Sequence, residues 1–567
     1  MDKRAIIAII LSMIVILIWQ VVFMPPPKKK PVVEEKGFQG ARVEEAEGAR
    51  TGGEILEYSG GGEVRVQDVV VETPLYRAVF TTAGGRLKSW RLKKYMDSVE
   101  TVVLWRRKPV RPPEPVEMVS MRSLKDLPLE VGVELGGRSI KQPVFDVNAS
   151  SISLASGEDG SIVFLGKTGE GLEILKRYRF YGGQYRVDLD VEIINRGGTP
   201  VEPGVRLIWR GVVKGGGRYT FAGPSVLAGK SVDRLSVREI KKGKVFSGDV
   251  KWMAAENTSP PPGRPSEGNY FVSLIVPRER KGIEVSVHEI EAPGSQGVGF
   301  ESTLTFQNRE VEPGKDRRYG FLLYLGPKLP ELLRDLDVEA EKVINFGKYL
   351  GGIEKVLLRI LGWTHRVTGN YGVDIVILSI LLKVIFWPLS RKSYRSMQEM
   401  QKIQPEMKML QEKYKGDKQR LNQEMMALYK RRKVNPVGGC LPMLVQFPFL
   451  IALYKALPLF FNLRHAPFVL WIRDLAAADS FFVDELPLPL LGHTPVGPLP
   501  LLMGVSMVIQ QRMTPTGGDP RQAKMMMIMP IMFIFIFLSF PSGLVLYWFV
   551  QNVLSIGEQY YTRKKGR

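Results

Sequence analysis

Residues 371–391 read YGVDIVILSILLKVIFWPLSR, and from Ile375 to Ser390 the only charge is Lys383. The apolar stretch 371–389 is long enough to cross the roughly 30 Å hydrocarbon layer of a bilayer as a helix. Lys383 follows Asp374 by nine residues and precedes Arg391 by eight. At a rise of about 1.5 Å per residue it stands about 12 Å from either charged end. An ammonium facing lipid at that depth costs on the order of 3 kcal/mol or more, so it must face protein or water. A buried ion pair and a hydrated cavity both satisfy that demand. Asp374, Asp519 and Glu558 lie near the ends of apolar segments, which favours an unpaired lysine lining a hydrated cavity.

Other apolar runs extend the pattern: Ala5–Met24, Val437–Phe461, Val496–Gln511, Met525–Phe540 and Leu544–Ile556. They predict six transmembrane helices at 1–24, 371–389, 437–461, 496–511, 525–541 and 542–560. The first follows Lys3 and Arg4, exceeds an ordinary signal-peptide apolar region and has no small-x-small cleavage site, so it reads as a retained anchor. The loop 390–436 is cytoplasmic by its charge, since residues 391–433 hold thirteen Lys/Arg against five acids. In 462–495, Arg464 and Arg473 are outnumbered by Asp474, Asp479, Asp484 and Glu485, which places that loop outside. Arg512, Arg521 and Lys524 in 512–524, and Arg563, Lys564, Lys565 and Arg567 in the tail 561–567, return to the inside. Both termini are therefore expected in the cytoplasm. Of the net charge of +21 over 567 residues, +14 falls in 351–567; topology accounts for it, and no nucleic-acid-binding domain is needed. The single Cys440 excludes a disulfide framework, and His288, His365, His465 and His493 share no ligand spacing, so neither a metal nor a cofactor is expected.

Residues 25–60 read as a flexible tether, charged and glycine-rich between 28 and 55. From 61 to 330 short alternating runs separated by glycine turns predict an extracytoplasmic antiparallel β-sandwich. VVVETPLYRAVFTTAGGRLKSWRL turns over Gly84-Gly85, RYRFYGGQYRVDLDVEIINRGG over Gly182-Gly183, and YFVSLIV and RRYGFLLYL add two strands. Gly223–Ser231, GPSVLAGKS, approaches a phosphate-binding loop but has five residues between its glycines and a proline where a backbone donor is needed; it reads as a loop. His288 in VSVHEIE reads as a surface or packed imidazole. Residues 331–370 form a linker followed, from Ile353, by an amphipathic helix lying in the membrane interface.

Other polar groups accompany Lys383. Ser379 lies one turn before it on the same face, while Gln446, Gln510, Gln511, Gln551 and Asn552 sit in or beside later spans. Each alone is the usual inter-helix hydrogen-bond glue; together with the lysine they outline a polar groove. The last three spans are short, which favours local thinning of the bilayer. In the cytoplasmic loop, Met397, Met400, Ile403, Met407, Leu410 and Tyr414 recur at helical spacing, as do Leu421, Met425 and Leu428, and a turn at Lys415-Gly416-Asp417 makes a helical hairpin. Arg391, Lys392, Arg395, Lys430, Arg431, Arg432 and Lys433 supply its basic surface.

Several segments carry a family resemblance: GWTHRVTGNYG (362–372) with ILSILLKVIFWPLS (377–390), KQRLNQEMMALYKRRKVNPVGGCLPMLVQFPFLIALY (418–454), APFVLWIRDL (466–475) and FPSGLVLYWFVQN (540–552). The sequence resembles the YidC-type membrane protein insertases, the family that includes the mitochondrial Oxa and chloroplast Alb proteins, and YLGPK (324–328) matches the large-domain Gram-negative form. The resemblance implies a polytopic inner-membrane protein with a five-helix insertase core and a supersandwich β domain that is not a catalyst. It implies that Lys383 takes the place of the family's groove arginine, losing the planar fork. Ser379 and Trp548, with Tyr547 beside it, take positions near the inserting segment. The implied partners are nascent membrane-protein clients, the lipid bilayer, the Sec translocon and, at the basic hairpin, the ribosome or targeting machinery. The competing classes are a secondary transporter or channel, which predicts inverted repeats, and a membrane-anchored periplasmic carbohydrate-binding or carbohydrate-processing protein, whose enzyme form needs paired carboxylates in the β domain.

Overall fold

The computed structural model describes residues 66–565, apart from 106–111, 214–220, 257–269, 293–296, 347–349, 433, 435–440, 489–491 and 514–519. The expected anchor at 1–24 and tether at 25–60 lie outside the described residues, as do Lys433 and Cys440. Two compact units emerge, one built on Pro113–Ile344 with the strands before Asp97, the other on Asn345–Arg567 with Ser98–Pro112.

In the first unit alternation decides the strands. Leu172–Tyr181 buries every second residue, and its neighbour Arg186–Asn195 is buried on both faces, as a central strand requires. These two form the hairpin over Gly182-Gly183, pairing Phe180 with Val187. A Cβ on Gly182 would fall 1.8 Å from the Ala155 carbonyl oxygen, so only glycine fits the turn. The hairpin is the middle of a nine-stranded sheet, ordered Ser231–Arg234, Pro224–Ala228, Val250–Glu256, Phe271–Pro277, Asp316–Pro327, Arg186–Asn195, Leu172–Tyr181, Asp159–Lys167, Asp146–Val147. A six-stranded sheet centred on Val298–Phe306 and Gly204–Val213 packs on it, with the Phe306 ring 4.7 Å from Tyr319 and 5.6 Å from Phe321. A five-stranded sheet containing Tyr76–Thr81 and Arg86–Met96 packs through Phe80, whose ring lies 4.8 Å from Tyr178 and 5.8 Å from Phe180. The unit is thus a β-sandwich. Its pairing departs from purely antiparallel where Asp68–Glu72 runs parallel to Ser151–Ser153.

The phosphate-loop look-alike at Gly223–Ser231 is a hairpin: Pro224–Ala228 pairs with Ser231–Arg234 around Gly229, whose φ is +62°. Two buried charged groups fasten the sandwich. Glu256 pairs with Lys328 of the YLGPK segment, and Arg234 stands 3.8 Å from the same carboxylate. Lys176 is fully buried, and its Nζ donates to the carbonyls of Gly84 (3.1 Å), Gly85 (2.6 Å) and Leu129 (2.7 Å). The lysine thereby ties the Gly84-Gly85 turn of one sheet to a strand of the next.

The second unit is helical: α1 (Gly351–Thr368), α2 (Tyr371–Lys402), α3 (Gln404–Lys413), α4 (Lys418–Arg431), α5 (Leu441–Ala456), α6 (Pro498–Met513), α7 (Pro520–Phe537) and α8 (Ser542–Lys565). Among the described helices α2 alone is both long and apolar enough to cross a membrane; Val445–Leu459 and Ile528–Phe537 are shorter apolar stretches. Two boundaries differ from expectation. α2 continues for 32 residues, through the expected limit at 389 and into the basic loop, because Arg391 to Lys402 are good helix formers with no breaker among them. α8 runs 24 residues, about 36 Å at 1.5 Å per residue, so the helix continues beyond the expected limit at 560. The charged end of its sequence carries no Gly-Pro stop, and the helix continues past the last apolar residue.

Lys176 supplies a test. Replacing it by Met removes the lysine's bonds to the Gly84 and Leu129 carbonyls and leaves Gly85 O only the Tyr178 hydroxyl at 3.2 Å; at about 1–3 kcal/mol for each unsatisfied group, Lys176→Met is expected to lower the stability of the sandwich by at least about 2 kcal/mol. Burial and the Arg86 charge hold the Lys176 ammonium well below its ordinary 10.5. The unfolded chain therefore binds that proton more tightly, and the stability difference between wild type and Lys176→Met is expected to widen as pH rises toward 10.5. Pulse proteolysis of the full chain in detergent across pH reads both effects; an unchanged midpoint contradicts them.

Candidate functional site: a polar seam in the helical unit

α2 begins because Asn370 caps it, accepting from the backbone N–H groups of Gly372 (2.9 Å) and Val373 (3.2 Å). In the first turn the buried Asp374 carboxylate accepts from the Thr368 hydroxyl (2.7 Å) and meets His365 Nδ1 at 2.9 Å, while the His365 ring stacks on Tyr371 at 3.6 Å. The end of α1, the turn and the start of α2 are thus one hydrogen-bonded corner. It fixes the rotation of α2, burying Leu378, Ser379 and Leu382 and exposing Ile380, Leu381, Val384 and Ile385.

The buried edge of α2 runs parallel to α8. Gln551 Nε2 donates to the Ser379 carbonyl (2.8 Å). One turn further, Lys383 Nζ donates to Ser555 Oγ (2.8 Å) and lies 2.8 Å from Glu558 Oε2. Toward the last turns Gln559 Nε2 donates to Tyr394 Oη at 3.0 Å. Gln551, Ser555 and Gln559 fall at four-residue steps, so one stripe of α8 supplies every partner. α8 also bonds its other neighbours: Asn552 Nδ2 donates to Ser506 Oγ of α6 (3.0 Å), and Gln446 Nε2 of α5 to Tyr547 Oη (3.2 Å).

The ion pair corrects the expectation of an unpaired Lys383. With α8 extending to Lys565, Glu558 lies inside the helix rather than at its frayed end, and only 9% of its side chain and 16% of the lysine's are exposed. The expected span 542–560 contains Glu558, but its place two residues from that limit makes it look like an end group. Ser379, Lys383, Gln446, Tyr547 and Asn552 all enter the polar network around α8, Ser379 through its carbonyl while its hydroxyl bonds Ile375 O (2.7 Å). Trp548 does not: it packs on Phe533 and Phe537 of α7, at 5.9 and 5.4 Å. Gln510 and Gln511 are half-buried on the last turn of α6. Ser506, Tyr394, Ser555, Glu558 and Gln559 were not expected at the site. The signal for Ser555 and Gln559 was the four-residue step of polar residues from Gln551.

The outer faces of α2, α6 and α7 beside the seam are rich in exposed apolar residues. Besides the α2 residues, α6 exposes Leu501, Leu502, Val505, Val508 and Ile509, and α7 exposes Ile528, Ile531 and Phe535. α1 exposes Val356, Trp363 and Val367 while burying Leu357 and Leu361. Beyond the end of α2, α3 and α4 pair around Ile403, Met407, Leu428 and Val434, with Met400, Leu410, Met425 and Tyr429 at the margin. Asp417 caps α4 by accepting from Arg420 N (3.0 Å), and Arg432 pairs with Glu406. Met397 is half-buried, while Arg391, Lys392, Arg395, Lys430, Arg431 and Arg432 are exposed. In the sandwich, His288 lies 3.5 Å from Glu301 at the edge of a cavity of about 600 Å³ also lined by Lys241, Lys242, Glu289 and Glu291. No cluster among the described residues has the ligands to hold a metal.

Exposed apolar faces beside a polar seam, joined in one chain to a β-sandwich, define a membrane-embedded helical protein with a large appended domain. Residues 363–567 match the family model of the 60Kd inner membrane protein, and residues 68–360 match that of the YidC periplasmic domain. The membrane protein insertase YidC of Syntrophus aciditrophicus is 37% identical over 509 residues, covering 89% of this chain and 86% of that one. That of Pelobacter propionicus is 37% identical over 574 residues, covering 100% and 99%. A crystal structure of an active YidC insertase with its first transmembrane domain resolved aligns over 87% of this chain and 92% of that chain at 18% identity and a TM-score of 0.37. The chain belongs to the YidC family of membrane protein insertases.

The corner under α2 generates a prediction. Asp374→Ala removes the carboxylate that joins the Thr368 hydroxyl to the His365 ring, at about 1–3 kcal/mol for a lost buried partner. The thermal aggregation midpoint of the protein in detergent is expected to fall by several degrees; an unchanged midpoint would mean that the corner does not set α2.

Proposed function

We propose that this insertase moves clients along the apolar face of α2 beside Lys383. The observation that carries the reading is the position of that lysine on the edge between the buried polar seam and the exposed Ile380, Leu381, Val384 and Ile385. The hydrophobic segment of a client slides on the exposed residues of α2 and α6. Its short polar flank enters at the seam, where an ammonium attracts acidic side chains and Ser379, Gln551, Ser555 and Asn552 supply groups that exchange hydrogen bonds. Partitioning of apolar residues into lipid, at about −0.3 to −0.6 kcal/mol each for Leu, Ile, Phe or Val at mid-membrane, drives completion. No bond is made or broken, so the work is binding and partitioning rather than enzyme chemistry. Short α5 and α6, of 16 residues each, favour a thin bilayer beside the seam and lower the barrier for the polar flank.

The finer topology follows the charge pattern: six spans including the anchor at 1–24 in the bacterial inner membrane, both termini cytoplasmic, and the sandwich periplasmic. The exposed cations of the α3–α4 hairpin suit the ribosome or the targeting machinery, and the Sec translocon is the partner for clients with long translocated segments. Gln510 and Gln511, half-buried on the last turn of α6, complete the client-facing set.

In a bacterium depleted of its own insertase, wild type and Lys383→Arg are expected to restore insertion of a small client with an acidic flank, scored by protease accessibility. Lys383→Glu is expected to lower it by about tenfold or more, as like charges meet; normal insertion by Lys383→Glu contradicts the electrostatic part. Topology has its own check. In a Cys440→Ser background, Gly416→Cys is expected to be shielded from, and Asp484→Cys labelled by, a membrane-impermeant maleimide added to intact spheroplasts; the reverse pattern inverts the orientation.

A further inference from the structure

The seam holds an anion as well as a cation. Lys383 reaches Glu558 Oε2 and Ser555 Oγ at 2.8 Å each. The Ser555 hydroxyl donates to the Gln551 carbonyl (2.8 Å), so its proton is committed and it serves the lysine as an acceptor. Among the described residues no hydrogen bond reaches either oxygen of the Glu558 carboxylate. Its counter-charge is Lys383. The pairing is asymmetric: the lysine has a second partner, whereas the glutamate depends on one ammonium.

Resting on the groove reading above, we propose that Glu558 is an internal competitor for Lys383 and sets the insertase's selectivity: a carboxylate in the client's flank engages Lys383 only by displacing Glu558. An ammonium and a carboxylate in a low-dielectric site neutralise each other, so the resting seam presents little net charge to lipid. An incoming carboxylate offers the lysine the contact it already has, and the exchange leaves the number of buried ion pairs unchanged. The released glutamate has somewhere to go. It lies on the same turns of α8 as exposed Tyr560 and Tyr561 and five residues before Arg563, close to water at the helix end. A neutral flank cannot displace Glu558, and a basic flank meets a lysine already balanced. The resting pair thereby makes selection depend on a client carboxylate that outcompetes a tethered one.

The test compares two small clients that differ only in an acidic or a neutral translocated flank, inserted by full-length variants in insertase-depleted cells, with each signal normalised to the amount of variant in the membrane. The quantity read is the ratio of acidic-flank to neutral-flank insertion. Glu558→Gln is expected to raise that ratio about fivefold, the lower end of typical coupling between linked sites. Lys383→Ala is expected to bring it to one, and Lys383→Ala/Glu558→Gln to match Lys383→Ala, since Glu558 acts through the lysine. Should Glu558→Gln fail to accumulate, Glu558→Asp keeps the charge on a shorter arm and is expected to raise the ratio by a smaller amount. A wild-type ratio in a Glu558 variant that accumulates overturns the proposal. So does a rise that persists without Lys383. A Lys383→Ala ratio equal to wild type instead overturns the groove reading itself, which separates the two failures.

Discussion

An ammonium in the middle of an apolar helix has to be satisfied by its own protein, and the arrangement around Lys383 answers that constraint. The corner at Asp374 sets the rotation of α2, Lys383 falls on the edge that turns inward, and α8 brings Ser555 and Glu558 to the same level. Gln551 and Gln559 fall into register above and below because they share the stripe. With that edge spoken for, the remaining faces of α2 and α6 are free to be apolar and to meet lipid. Removing one member of such a pair strands its partner, at about 3–5 kcal/mol for a buried pair, so the two charges are mutually dependent whatever their role in transport.

The sandwich meets the same problem in a different medium. Among the described residues Lys176 makes no ion pair and is held by three backbone carbonyls, whereas Lys328 is held by Glu256. In the first case the charge is spent on fixing a glycine turn against a neighbouring sheet. In the second it fastens the last strand to Val250–Glu256. Lys383 differs from both in standing at the margin of an exposed apolar face, and position rather than residue type singles it out as a working group.

Much of this was readable in the chain. The hairpins over Gly84-Gly85 and Gly182-Gly183 and the helical hairpin with its turn near Gly416 followed from period and turn chemistry, whereas Gly223–Ser231, expected as a loop, is largely strand. The lysine announced itself by its surroundings. What the sequence hid was its partner, because hydropathy marks where apolar residues stop and not where a helix stops; α8 carries its stripe several residues beyond the last apolar one. Trp548 looked like a groove residue by its neighbours, yet helical rotation sends it toward Phe533 and Phe537, and a one-residue difference on a helix is about 100° of direction.

The central claim is that the polar flank of a client comes to rest against the seam at Lys383. A stalled client carrying single cysteines along its flank and its apolar segment, combined with Ser555→Cys in a Cys440→Ser insertase, reads that position through disulfide formation. The account predicts crosslinks from the acidic flank to Ser555→Cys, and from the apolar segment to Ile385→Cys on the outer face of α2 in a parallel variant. Crosslinks from the apolar segment to Ile385→Cys with none from any flank position to Ser555→Cys would contradict it, leaving the seam a structural joint that clients pass without entering.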